Sequence, residues 1–455
     1  MRWIGPATVA VLAAALWSMA WWPGGSVTPL PLLALWAVAF TAYALAATGA
    51  EAIPSRTIWA GGILLRAGLL PAAPALSEDI YRYMWDGWVQ VNGVNPFVHP
   101  PSAPLLAPLR LDWWPLINHA DVPTIYPPGA QIVFLLLAAL GPGRLLFKLA
   151  WLAADILAAR LLAGLAGDGV RGRRALLLYL WSPLLLVEVA WSGHVEPLGI
   201  AAMLGAVALA RRADGTPPIR EATSRADPVE AVPARPRRSL LGSGALIGLG
   251  VSLKLVPLAV VPALWRRYGA AAAGLAVAVP AILYVPYRAA GASLFEGLRT
   301  YADVWAFNAG LFRLLEPLPG PAGVPRTLAT LIVVAVAGWA AARRYELERA
   351  LYWTIGAALL LSPTIHPWYL LWILPFACLR GGRGWFLYTG TVFLAYAGRD
   401  AYLTGGAWPE PVWLSALIHV PPLALLARDA VRDARAGLPC GTGGVVGSGA
   451  AGSGS

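Results

Sequence analysis

Apolar runs approaching the length of a bilayer crossing recur along this chain, at 7–22, 30–47, 270–286 and 328–342 among others. Roughly 20 apolar residues carry a helix across the hydrocarbon layer. No extended polar–apolar alternation accompanies the runs, which argues against an outer-membrane barrel. Helices remain as the way to satisfy every backbone polar group in lipid. The charge content agrees. Only 13% of the residues are charged, against about a quarter in a soluble domain. The reading is all-α: a polytopic transmembrane helical bundle of about 12–14 membrane segments.

A net charge of +11 invites a nucleic-acid partner, but its distribution says otherwise. The cations sit in short loops between apolar runs, at Arg171 to Arg174, Arg211 and Arg212, Arg235 to Arg238, Arg266 and Arg267, Arg343 and Arg344, Arg380 to Arg383, and Arg428 to Arg435. That is the cytoplasmic signature of a membrane protein, so the partner is membrane lipid and not nucleic acid. The two cysteines, Cys378 and Cys440, fall in an apolar run and a Gly-rich tail. Neither setting suits a disulfide or a metal site. The first apolar run lacks a small-residue cleavage site and reads as a retained helix.

Starting from a cytoplasmic N-terminus, about three spans bring the chain out at Ser77. The outer loop 77–126 that follows is polar, aromatic and Pro-rich, and loops of this length are usually functional. A short interfacial helix is expected over 85–91, where Trp and Tyr favour the headgroup zone. The run 127–141 is short and broken by Gly141, Pro142 and Gly143, so it is read as not spanning. This choice keeps Arg171 to Arg174 and Arg211 inside and puts His194 and Glu196 outside. Residues 213–238 read as a disordered cytoplasmic loop. The run 240–265 carries Arg clusters at both ends, which suggests a hairpin of two short or broken helices with Lys254 near its turn. Six further spans follow, with outer segments at 288–323, 366–369 and 399–410. One domain, 1–436, is expected, followed by a disordered Gly/Ser-rich tail, 437–455.

The outer segments concentrate the chemistry. Glu78 and Asp79 stand at a helix exit, followed by Arg82 and Asp86. Charge beside the apolar slab is costly and marks functional candidates. A carboxylate there can act as general base toward a hydroxyl. The bland alternative is that Asp79 or Asp86 caps a short helix. His194 and Glu196 can orient a substrate, but two residues are too few for a metal site. His366, between Pro363 and Pro367, lies where regular helix breaks, as it does around cavities at membrane depth. Lys254 is either a snorkelling cation or one awaiting an anionic group such as lipid phosphate. Arg288, Arg299 and Arg313 are further outer cations. Asp155 and Glu188, inside spans, are expected to pair with cations such as Lys148 or with polar neighbours.

Several of these motifs resemble, in order, those of bacterial GT-C class glycosyltransferases. They are the segment 77–87 with Glu78, Asp79 and Arg82; 93–97; 124–128 with Tyr126; 192–196 with His194 and Glu196; 253–257 with Lys254; and 362–369 with His366, Trp368 and Tyr369. The nearest likeness is to polyprenol-phosphate-mannose-dependent α-mannosyltransferases, over about 77–375. The resemblance implies a GT-C type bundle in the cell (plasma) membrane with its site facing the non-cytoplasmic side. It implies transfer with inversion from a polyprenyl-phosphate-linked sugar donor, most often mannose, to a glycan or lipid-linked acceptor. Asp79 would be the base with Glu78 beside it, and Arg82, Lys254 and His366 would face the phosphate leaving group. Tyr126, Trp368 and Tyr369 would shape the sugar pocket. No cofactor and no metal are implied. Two residues depart from the pattern: Glu196 stands where Asp is usual, and Phe97 where Tyr is frequent. Composition alone also permits a multi-span transporter or flippase.

Overall fold

The computed structural model describes residues 4–23, 27–215, 236–321, 323–406 and 408–436. Among the described residues the fold is helical throughout, with one isolated bridge, Phe307 to Thr364, in place of any sheet. Among the described residues five helices are long and apolar enough to cross a membrane: Pro29–Thr48, Arg144–Ala166, Val170–Trp191, Val324–Ala342 and Val412–Val431. A sixth crossing comes from Ala270–Leu283 with Val285–Val304 if that pair, bent by 86°, is one span. A higher segment count therefore rests on shorter apolar helices. Large apolar side chains stay exposed along these rods, including Leu45, Leu157, Leu331 and Val334. In water such a surface would be a liability; against lipid it is the expected one. The protein is a polytopic helical membrane protein.

Val170–Trp191 forms the centre of the bundle, with 89% of its apolar window buried. A helix apolar all round belongs in such a place. Pro183 interrupts its regular hydrogen bonding, and a π-turn follows at Leu186–Trp191. Single π-turns of this kind gather at functional sites.

Arg66 and Lys148, both buried at 1% exposure, are held by different means. Arg66 pairs with Asp155 at 2.6 Å and donates to the carbonyls of Gly62 and Leu180. Lys148 instead donates to the carbonyls of Leu70 and Ala72, at 3.2 and 2.7 Å. These carbonyls follow the end of Ser55–Leu69, where helical partners run out. Asp155 thus pairs with a cation, as expected, but the cation is Arg66 from another helix, while the Lys148 ammonium closes a helix end.

The first long loop also differs from expectation. Its helix runs over Asp79–Val91, not only 85–91. Ser77 Oγ accepts the Asp79 backbone N–H at 3.3 Å, supporting an earlier start. The helix packs against Pro128–Leu140, and Gly87 lets the two backbones meet, since a Cβ there would lie 2.2 Å from the Phe134 carbonyl oxygen. Pro128–Leu140 has 13 residues, or roughly 20 Å of helix against a roughly 30 Å hydrocarbon layer.

The segment 240–265 breaks as expected into Pro236–Leu253, a short 3₁₀ turn and Val261–Tyr268, with Lys254 at the break. The flanking loop is shorter than read from sequence, because helix continues to Asp214 and resumes at Pro236. The rest of that loop, 216–235, and the tail 437–455 lie outside the described residues.

Ion pairs and carbonyl contacts bring several Arg-bearing loops together. Arg211 meets Glu348 and the Leu165 carbonyl, and Arg267 meets Asp214 and the Arg344 carbonyl. These Arg-rich loops therefore share one end. The aromatic and acidic segments gather away from them, around a cavity.

Candidate active site

The cavity measures about 730 Å³ and is lined by Glu78, Asp79, Arg82, Tyr126, Lys254, His366, Trp368 and Tyr369. Segments nearly 300 residues apart in sequence thus face one space. His194 and Glu196 are not on its wall. Both are fully enclosed, at 0% and 1% exposure, and each stands behind a residue that is on the wall.

Asp79 opens its helix, where the positive end of the helix dipole favours a carboxylate. Asn118 Nδ2 donates to its Oδ1 at 2.8 Å. The Tyr126 and Tyr83 hydroxyls donate to its Oδ2 at 3.2 and 3.5 Å. His194 Nδ1 lies 3.7 Å from the same Oδ2. The carboxylate is therefore oriented from behind and reaches the cavity at its front. Glu78 is half-buried beside it, and burial, followed by the adjacent Asp79 charge, pushes its carboxyl up from the usual range. Of the pair, Asp79 is the one with hydrogen-bond donors aimed at its carboxylate.

Lys254 sits across the break in its helix pair. Its Nζ meets Glu196 Oε1 at 2.6 Å and lies 4.4 Å above the Tyr369 ring. The side chain keeps 21% exposure toward the cavity. An ammonium has three donors, so one ion pair leaves others available to a ligand. Glu196 thus meets Lys254 and does not line the cavity.

Four rings form a continuous pile: Phe307 on His366 at 4.8 Å, His366 on Trp368 at 4.3 Å, and Trp368 on His194 at 4.1 Å. His366 is extended, at φ −70° and ψ 150°, as the cap of Pro367–Trp372. The bridge between Phe307 and Thr364 holds this strip in register. Tyr369 is fixed in turn by a 2.5 Å bond to Tyr301.

Arg82 lines the cavity, but its donors are engaged. They reach Asp86 at 2.9 Å and the carbonyls of Val122 and His119 at 2.9 and 3.4 Å. Asp86 accepts further bonds from Thr124 and Gln131. This network ties the helix to the returning loop and makes Arg82 a brace. Of the other cations named from sequence, Arg313 is paired with Glu410, Arg288 is exposed, and Arg299 lines a separate shallow depression. Phe97 packs on Tyr284 and Tyr287. Sequence reasoning missed Asn118, Tyr301, Arg326, Tyr396 and Trp408. Arg326 and Tyr396 sit in or beside apolar runs, where nothing distinguishes a wall residue from packing, while Asn118, Tyr301 and Trp408 lie in outer segments among many other polar and aromatic residues. Among the described residues no group of three or more His, Cys, Asp or Glu side chains is placed to hold a metal ion.

A family model described as "Alpha-(1->6)-mannopyranosyltransferase, N-terminal domain" matches residues 2–270, more than half of the chain. The chain belongs to this mannosyltransferase family. It is a membrane glycosyltransferase, and the transporter reading falls away. No curated protein and no solved structure matches the chain. The matched part of the mannosyltransferase contains Glu78, Asp79, Tyr126, His194, Glu196 and Lys254. His366, Trp368 and Tyr369 lie beyond it and complete the same cavity.

Proposed function

We propose that this mannosyltransferase moves mannose from a polyprenyl-phosphate-mannose donor to a hydroxyl of a glycan or lipid-linked acceptor, with inversion and with Asp79 as general base. The observation that carries the reading is the pairing, on one cavity wall set, of an oriented carboxylate with a cation that has unused donors. The acceptor oxygen attacks the anomeric carbon while Asp79 removes its proton. The C–O bond to the lipid phosphate breaks, and the electron pair leaves on the phosphate. Lys254 meets that developing charge, as a preorganised donor in a dry site does best. Trp368, Tyr369 and Tyr126 offer ring faces and hydroxyls to the sugar. The cavity is read as opening to the non-cytoplasmic face of the plasma membrane, since the Arg-rich loops share the other end.

The test is donor dependence. Purified enzyme should transfer labelled mannose from polyprenyl-phosphate-mannose and not from a nucleotide-linked mannose. Transfer from the nucleotide sugar alone would overturn the donor assignment.

A further inference from the structure

Beside its histidines the cavity is lined by three basic side chains, Arg82, Lys254 and Arg326. Arg82 is paired with Asp86 at 2.9 Å, and Lys254 with Glu196 at 2.6 Å. Arg326 has no carboxylate partner among the described residues. Its Nη2 makes one long contact, 3.4 Å to the Trp305 carbonyl, and its Nε is enclosed with no partner. A cation that only snorkels keeps its charged head in water. Arg326 is instead half-buried on the cavity wall, with donors to spare.

The helix that carries it is patterned to match. Arg326 stands in the first turn of Val324–Ala342, and Ala329, Thr330 and Val333 follow it at i+3, i+4 and i+7. That spacing puts the four on one helix face, and all four line the cavity. From the arginine the stripe runs roughly 10 Å along the axis. Leu255 and Val256, next to Lys254, line the same cavity, and the turn Val256–Val260 packs against Val324–Ala342 and Leu347–Leu360. Each cation thus heads an apolar wall. Other faces of Val324–Ala342 expose Leu331 and Val334, as a lipid-facing helix does. A run of contacts joins the two cations. Trp305 stacks on Tyr301 at 5.5 Å, Tyr301 bonds Tyr369 at 2.5 Å, and Lys254 lies 4.4 Å above the Tyr369 ring.

The proposed reaction creates negative charge in this space. The bond from the anomeric carbon to the phosphate oxygen breaks, and that oxygen keeps the electron pair. The linking phosphate carries a single charge in the donor and about two once it is a monoester. Glu196 already offsets Lys254, and Asp79 adds a negative charge on the same cavity. Arg326 is the wall cation without a counter-charge, and a guanidinium fork suits two oxygens of one phosphate. We infer that Arg326 binds the donor's phosphate together with Lys254, and that the adjoining prenyl chain lies in the slot that Ala329 and Val333 form with Leu255 and Val256. The inference rests on the polyprenyl-phosphate donor proposed above. The chemistry recognised is a phosphate ester at the head of an apolar chain. That chain continues into the bilayer, and the spent carrier leaves by the same side.

The test measures transfer of labelled mannose by the full-length enzyme in detergent, with polyprenyl phosphate added as product inhibitor. Arg326→Met should lower kcat/KM for the donor on the order of 10- to 100-fold. It should raise the inhibition constant of polyprenyl phosphate more than the donor KM, because the product carries the extra charge. Arg326→Lys should recover part of both. A merely structural role would move the two constants alike, so equal shifts, or none, overturn the assignment. If Arg326→Met does not accumulate, Arg326→Gln decides by the same two constants. Val333→Trp fills the slot and should weaken use of a long-chain donor by about 10-fold while sparing an analogue with a single prenyl unit. Equal effects on both chain lengths overturn the slot. Inorganic phosphate and phosphatidylglycerol should not compete at concentrations where polyprenyl phosphate does; competition by either at those concentrations overturns the committed ligand. Failure of the wild type to use any polyprenyl-phosphate donor would instead remove the reading on which the inference rests.

Discussion

Asp79 and Glu78 are adjacent carboxylates in different surroundings. Asp79 is met by an amide, two phenols and an imidazole, while burial and the neighbouring charge hold Glu78 toward its neutral form. The sign for stability follows. Between the ordinary value of 4.5 and the raised folded value, the native state holds a proton that the unfolded state has lost. Stability therefore falls as pH rises through that window. Glu78→Gln should flatten this slope, measured as midpoints of thermal unfolding in detergent from pH 4 upward. Lys254→Met should lower transfer by about 10²-fold through loss of charge stabilisation at the leaving phosphate. Much of this chemistry was legible because a charge near an apolar run stands out. The residues behind the wall were not: His194 and Glu196 read as cavity residues, since sequence marks an exceptional residue but not its depth.

At the scale of elements, close helix contacts and buried ion pairs set where the wall residues stand. Gly87→Ala would drive a Cβ into the Phe134 carbonyl. Such overpacking costs about 1–3 kcal/mol, and here it also displaces the helix that begins at Asp79. Both the unfolding midpoint and kcat should drop, whereas Gly164→Ala, with nothing near its Cβ, should change neither. Asp155→Asn leaves Arg66 buried without its counter-charge, a loss of roughly 3–5 kcal/mol, visible as poor accumulation and a lower unfolding midpoint. The helices were legible as apolar runs, and the break at Lys254 as opposed Arg clusters. The early start of Asp79–Val91 and the choice of Arg66 by Asp155 were not, because each depends on contacts between segments far apart in the chain.

Across the whole molecule, contacts join the arginine-bearing segments around Arg211, Arg267 and Arg344, while the aromatic and acidic segments meet around the cavity. The family match ends at residue 270, yet the cavity needs His366, Trp368 and Tyr369 from the remaining chain. The fold thus joins the proposed base and a cation from its first part to a ring pile from its second. The most direct measurement is single-turnover transfer of labelled mannose from polyprenyl-phosphate-mannose by wild type and by Asp79→Asn, each reconstituted in vesicles at equal folded concentration. The account predicts at least about 10²-fold slower transfer in the variant with donor still bound, and equal rates in the two proteins would contradict it.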